Sequence, residues 1–228
     1  MASHPLDNPA WHSLIGAHAG LGRASGAVRA YRPEVAIFAA IDESAPADLS
    51  GLVDLVAPGS RCALAGSKPA RLPDGFESEH VFDVLQMVAQ SPVAVDVTAQ
   101  IVLLGQSHVA AMVELVELTQ PGPFASETWR MGDYRGIFHD GRLVAMAGER
   151  MRPAGFTEIS AVCTHPDFRG KGYAKQLVSV GALAIVARGE TPFLHAVPDN
   201  FVAVETYRKL GFEVRRTTTA TVLKRYGG

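Results

Sequence analysis

Residues 164–178, Thr-His-Pro-Asp-Phe-Arg-Gly-Lys-Gly-Tyr-Ala-Lys-Gln-Leu-Val, limit what this chain can become more than any other stretch. They set Arg169-Gly170-Lys171-Gly172 immediately before an apolar helical pattern over 172–187, which Gly189 closes. An apolar strand pattern, 156–164, leads into them. A helix N-terminus leaves backbone N–H groups unpaired and carries partial positive charge. It is therefore a ready site for an anion. Gly170 and Gly172 remove the Cβ atoms that would hold a phosphate away from those N–H groups. Arg169 and Lys171 add charge, and the arginine fork suits phosphate oxygens. The stretch reads as a pyrophosphate cradle on a strand–loop–helix unit.

Its spacing excludes two common phosphate binders. A nucleotide P-loop needs Gly-x4-Gly-Lys-Ser/Thr, and here Lys171 is followed by Gly172. A dinucleotide fingerprint needs Gly-x-Gly-x-x-Gly, and Lys175 stands at the third glycine position. Residues 20–26, Gly-Leu-Gly-Arg-Ala-Ser-Gly, miss that spacing too and follow no strand. The pattern that fits is Arg/Gln-x-x-Gly-x-Gly/Ala, filled by Arg169, Gly172 and Ala174. Further on stands Asn200-x-x-Ala203-x-x-x-Tyr207-x-x-Leu210-Gly211-Phe212. In the strand, the loop and this late segment, the chain resembles the GNAT superfamily of acyl-CoA-dependent N-acyltransferases. The resemblance covers roughly residues 105–225. Residues 1–100 carry no motif that matches.

The resemblance implies an α+β fold, a central and mostly antiparallel sheet with flanking helices. Here it would be preceded by a smaller α/β unit, dividing the chain at 1–95 and 96–228. It implies that backbone N–H groups of Gly170, Lys171, Gly172, Tyr173 and Ala174 hold the pyrophosphate of acetyl-CoA, beside Arg169. The pantetheine arm would pair with the backbone at Val162, Cys163 and Thr164, where strands 156–164 and 191–197 splay apart. A strand N–H near Val162 would polarise the thioester carbonyl. Asn200 is a helix cap or a cofactor contact, and one side chain can serve both. The implied reaction is direct acetyl (or small acyl) transfer to a primary amine, on a small molecule or a peptide, in a ternary complex. The alternative is a non-catalytic module that binds or senses acyl-CoA.

The amine must lose a proton before attack, and the departing thiolate benefits from an acid. Glu158 is the candidate base: it stands four residues before Val162, on the same strand face unless a bulge intervenes. Glu149 is the rival carboxylate. Tyr207 is the candidate acid, matching the family tyrosine whose hydroxyl approaches the CoA sulfur. Cys163 invites an acyl-cysteine route, but its parity differs from Val162 and no partner is fixed, so a buried inert thiol is the simpler reading. His195 lies on the splayed strand, either facing the acceptor or satisfied within the sheet. Trp129 and Tyr134 are either walls of the acceptor side or core. No His-Glu-x-x-His or similar pattern is present, so no metal is expected.

Composition narrows the partners. A formal net charge of −2 over 228 residues gives no basic excess for nucleic acid. Two distant cysteines suit a reducing cytoplasm. The N-terminus shows no signal peptide, and the apolar stretch 177–187 is shorter than the roughly 20 residues that span a bilayer. A soluble cytoplasmic protein is expected, compatible with a homodimer.

Periodicity predicts strands at 34–41 and 61–66, a helix at 48–56 and a turn at Pro73-Asp74-Gly75. Val81, Leu85 and Val88 predict a helix over 78–89 capped by Ser78, and alternation over 92–104 predicts strand. A helix over 108–118 capped by Ser107 follows, then a hairpin over 134–151 turning at Asp140-Gly141. Strand 191–197, helix 200–210 capped by Asn200 and stopped by Gly211, and strand 212–225 close the chain. Residues 1–30 show no period. Both halves mix strands and helices, as a duplication would.

Overall fold

The computed structural model describes residues 4–42, 48–66 and 71–227. Along the chain come α1 (Pro9–Leu14), β1 (Gly22–Ser25), β2 (Val28–Tyr31), β3 (Phe38–Ile41), α2 (Leu52–Leu55), β4 (Arg61–Ala65) and β5 (Phe76–Val88). Then follow β6 (Ile101–Leu104), α3 (Val109–Thr119), β7 (Tyr134–His139), β8 (Arg142–Glu149) and β9 (Phe156–Thr164). The last elements are α4 (Tyr173–Ala187), β10 (Thr191–Ala196), α5 (Phe201–Lys209) and β11 (Glu213–Arg225). All strands join one 11-stranded sheet in the order β1-β2-β3-β4-β11-β5-β10-β9-β8-β7-β6. Pairing is antiparallel except where β3 meets β4 and β9 meets β10.

Those two parallel pairs expose a repeat. Helix, hairpin, third strand, crossover helix and parallel fourth strand occur in that order in each half: α1-β1-β2-β3-α2-β4, then α3-β7-β8-β9-α4-β10. The last strand of each half then crosses over. β5 pairs with β10, and β11 pairs with β4. β5 and β11 also pair with each other along their whole length, from Phe76↔Arg225 to Val88↔Glu213. The sheet therefore runs unbroken through both halves.

This exchange overrides local pattern. The segment read as a helix over 78–89 is strand β5, because twelve residues of ladder with β11 outweigh a three-residue helical stripe. Its Val81, Phe82, Val84 and Val88 are β-branched or aromatic, as a strand prefers. Of 92–104, only Ile101–Leu104 is strand. Residues 93–99 instead lie against α4: Ser179 Oγ donates to Val93 O at 2.8 Å, and Gln176 Oε1 accepts from Thr98 N at 2.9 Å and Ala99 N at 3.1 Å. α3 begins at Val109 after a 3₁₀ turn over Gln106–His108, and no Ser107 side chain caps it. The aperiodic first 30 residues hold α1, β1 and β2.

Other expectations hold. Asp140 and Gly141 join β7 to β8 with φ of 49° and 78°, the left-handed pair a type I′ turn needs. Asn200 Oδ1 accepts from Ala203 N at 3.2 Å and caps α5.

Alternation along the strands divides the core. On one face Phe193 packs with Leu6, Ala10 and Met151, while Tyr134, Met146 and Cys163 pack with Met112 and Leu115 of α3. On the other, Leu194, Ile159 and Met87 meet Val178, Ala182 and Ile185 of α4 and Val204 of α5. Each such fully buried aliphatic side chain contributes about 1.5–3 kcal/mol. The face under α1 and α3 is called the α1/α3 face below, and its opposite the α4/α5 face.

Candidate active site

The cradle is built as its residues require. β9 ends, a 3₁₀ turn covers Pro166–Phe168, and α4 starts at Tyr173. Gly170 and Gly172 have φ of 77° and 74°, left-handed values that cost an L side chain about 1–2 kcal/mol. Gly172 is the N-cap and offers no side chain, so the first N–H groups of a 15-residue helix face outward uncapped. Arg169, Gly170, Lys171 and Gly172 are exposed, with Lys171 Nζ held 4.7 Å over the Phe168 ring. These residues fit a pyrophosphate.

Beside the cradle the sheet opens. β10 pairs with β9 from Thr191↔Phe156 to Leu194↔Ile159 and then stops, although β9 continues to Thr164. The backbone edge at Ser160–Thr164 is thus left without β10 as its partner. On its other side β9 carries a bulge: Gly148 pairs with Ser160 and Met146 with Cys163, so Ala161 and Val162 together oppose Ala147. Ala161 takes the extra step with φ of 51°. The bulge reverses the alternation. Val162 turns to the α4/α5 face and Cys163 to the α1/α3 face, so Glu158 and Val162 do not share a face as an unbroken strand would require.

Glu158 points to the α1/α3 face, completely buried. Arg150 Nη2 and Nε donate to it at 2.6 and 2.8 Å, His195 Nδ1 lies 2.7 Å from Oε1, and Met151 N donates at 3.2 Å. Burial pushes the Glu158 carboxyl up, but the Arg150 charge and hydrogen bonds, with His195, outweigh it and hold the group far below the usual carboxylate range. A carboxylate so held is a weak proton acceptor near neutrality.

Its neighbour is better placed. Arg215 Nη1 donates to Gln86 Oε1 at 2.8 Å, and Gln86 Nε2 donates to Leu6 O at 2.8 Å. The amide orientation is therefore fixed, and its second hydrogen goes to His195 Nε2 at 3.2 Å. With Nδ1–H engaged by Glu158, the His195 lone pair sits on Nε2. Arg150, Gln86 and Arg215 were not singled out from sequence. An arginine following Glu149 at the end of an apolar strand was the one available signal.

The first half of the chain walls this cluster. Arg150 Cζ lies 4.8 Å over the Phe38 ring. His18 Nε2 donates to Met131 O and Nδ1 accepts from Tyr31 Oη, both at 2.9 Å, joining the halves. Thr128 Oγ1 donates to Val35 O at 2.6 Å.

Glu149 is on the opposite face from Glu158, bound by Arg188 at 2.9 Å. Burial pushes the Cys163 thiol up to about 11 despite hydrogen bonds from Thr119 and Met146, so it stays a thiol. Tyr207 sits half-buried between α5 and the sheet, edge-on to Phe212 at 6.2 Å, and burial pushes its hydroxyl up to about 12. Asn200 is exposed, its Oδ1 capping α5. Trp129 is half-buried against the α3 core, and Tyr134 is buried there. Among the described residues no group of three His, Cys, Asp or Glu is placed to hold a metal, and no helix is long and apolar enough to cross a membrane.

A splayed parallel strand pair beside a glycine-opened helix N-terminus is the frame of an acyltransferase fold. Residues 134–221 match the FR47-like protein family. A GNAT-family protein of Novosphingobium aromaticivorans DSM 12444, described as an acetyltransferase, is 42% identical, superposes with a TM-score of 0.90, and is covered over 99% of its length by 98% of this chain. The chain belongs to the GNAT family. The fold alone is shared with a GCN5-related N-acetyltransferase from Kribbella flavida, at 16% identity, TM-score 0.65, and coverage of 97% of this chain and 96% of that one. It is shared likewise with a GCN5-related N-acetyltransferase-like protein from Streptococcus suis 89/1591, at 18% identity, TM-score 0.61, and coverage of 95% and 92%. No curated protein matches the chain.

Proposed function

We propose that the protein transfers an acetyl or small acyl group from acetyl-CoA to a primary amine, in a ternary complex, within a reducing cytoplasm that suits its two free buried thiols. The observation that carries this reading is the opening of β9 from β10 directly beside the uncapped start of α4. The pyrophosphate would lie on the N–H groups of residues 170–174. The amide-bearing arm would take up the free backbone of Val162, Cys163 and Thr164. The α4/α5 face at that point is filled by Val162 packed with the helices, so the amine comes from the α1/α3 face, where the first half of the chain stands.

The base step runs through His195, with Glu158 fixing its tautomer and balancing its charge. The amine's N–H takes the place at Nε2 that Gln86 N–H now fills. As the carbon–nitrogen bond forms and the carbon–sulfur bond breaks, the nitrogen's proton passes to Nε2. The thiolate takes a proton from Tyr207, whose hydroxyl, pushed up to about 12 by burial, stays protonated until then.

Thiol release from acetyl-CoA across a panel of amino acids, polyamines, aminoglycosides, arylalkylamines and peptides tests this. At least one amine should accelerate release. Tight acetyl-CoA binding with no acceleration by any amine would make the chain a CoA-binding module instead.

A further inference from the structure

Tyr134 is 1% exposed, and its hydroxyl is the one buried side-chain polar atom among the described residues that has no hydrogen-bond partner. Buried polar groups in native folds almost always have one. The ring is not free to turn and find one. It lies against Gly148, where a Cβ would fall 2.1 Å from Tyr134 Cε1 and 2.5 Å from Cζ, so only glycine admits it. Phe124 meets it edge-on at 5.7 Å, and Met112, Leu115, Met146 and Cys163 pack around it.

The position carries meaning. Tyr134, Gly148 and Ser160 form one row across β7, β8 and β9. A ring lying over Gly148 carries its hydroxyl from β7 toward β9, where Ala161 breaks the ladder. That is the α1/α3 face, the face of Glu158, Arg150 and His195. Burial first, with Glu158, Glu149 and Cys163 adding to it against Arg150, pushes the hydroxyl well above its ordinary ionisation range, so it remains a neutral phenol with both a donor and an acceptor. A phenylalanine would fill the same space without stranding a polar atom.

We propose that the Tyr134 hydroxyl is the hydrogen-bond anchor for the acceptor's amine nitrogen, and that the apolar surround selects amines borne on an apolar or aromatic carbon skeleton over polycationic ones. This rests on the N-acyltransferase reading above. A nitrogen approaching the β9 bulge must aim its lone pair at the thioester carbon, and a neutral phenol oxygen accepts one of the hydrogens pointing elsewhere. Met112, Leu115 and Phe124 desolvate the adjoining carbons, whereas a second ammonium there would find Glu158 already paired with Arg150.

Tyr134→Phe tests the proposal in two ways. The free variant should melt at the wild-type temperature or above it, because no hydrogen bond is lost; a fall of several degrees would reveal a structural partner and overturn the proposal. With the best amine of the panel, the variant should show about a tenfold higher KM for the amine, the loss expected for one neutral hydrogen bond in a dry site. Its KM for acetyl-CoA should not change. Equal amine KM in both proteins, a rise in the acetyl-CoA KM instead, or a panel led by polyamines would overturn it. A wild type that acetylates no amine removes the transferase reading and this proposal together; an active wild type matched by its variant removes this proposal alone.

Discussion

Arg150→Met removes the cation that makes a completely buried carboxylate tolerable. Glu158 would keep His195 and Met151 N as partners but lose two short hydrogen bonds, at 2.6 and 2.8 Å, and a full countercharge. Breaking one side of a buried pair costs about 3–5 kcal/mol, much of it the penalty of stranding the other charge. For a chain of this size each kcal/mol lowers the melting temperature by roughly 2–4 °C, so a drop of roughly 6–20 °C is expected. The pH dependence should change sign. In the wild type Glu158 titrates far below its unfolded value, so its contribution is present above about pH 4.5 and is lost as pH falls through the carboxylate range. In the variant, burial without a cation raises its pKa, and acidifying from pH 7 to 5 should shrink the deficit against wild type. Replacing both partners, Arg150→Met with Glu158→Met, should recover most of the loss. The assay is thermal and urea unfolding at pH 7 and pH 5. A single variant melting within 2 °C of wild type, or a double variant no better than the single, would refute the account of this pair.

Other outcomes follow from the same geometry. Tyr207→Phe should lower kcat at least tenfold with acetyl-CoA affinity nearly unchanged, if the hydroxyl protonates the leaving thiolate; pre-steady-state thiol release reads this directly. Burial lowers the His18 pKa to about 4, so the histidine is neutral in the fold while the unfolded chain takes up a proton near pH 6.5. Stability should therefore fall as pH drops from about 6.5 to 4, by up to about 3 kcal/mol from this one group, and His18→Gln should flatten that part of the urea-unfolding profile.

The cradle was legible because its chemistry is local. Arg169 to Ala174 must be contiguous to open a helix, and the strand before it and the motif from Asn200 to Phe212 around α5 stand at fixed distances along the chain. The hairpin at Asp140-Gly141 was legible for the same reason. β5 was not, since its conformation is set by β11, more than a hundred residues away, and its valines fit a helix stripe as well as a strand. α1 was missed although Asn8 and Pro9 spell a cap and a first helical position: Asn8 Oδ1 accepts from Trp11 N at 3.3 Å. Glu158 was found, but its bonding was not. One inserted residue at Ala161 swaps the faces of everything beyond it, and no pattern in Ser160-Ala161-Val162 announces a bulge. Arg150, Gln86 and His195 meet only because β8, β5 and β10 bring them together.

The most direct test of the central claim is a calorimetric titration of the full chain with acetyl-CoA, beside Gly172→Val. The wild type should bind one equivalent saturably. The variant forces a β-branched residue into a left-handed conformation and sets a side chain among the N–H groups at the start of α4, so it should bind about 100-fold more weakly. A wild type that does not bind acetyl-CoA, or a folded variant that binds it equally well, would contradict the assignment of this helix start as the donor site.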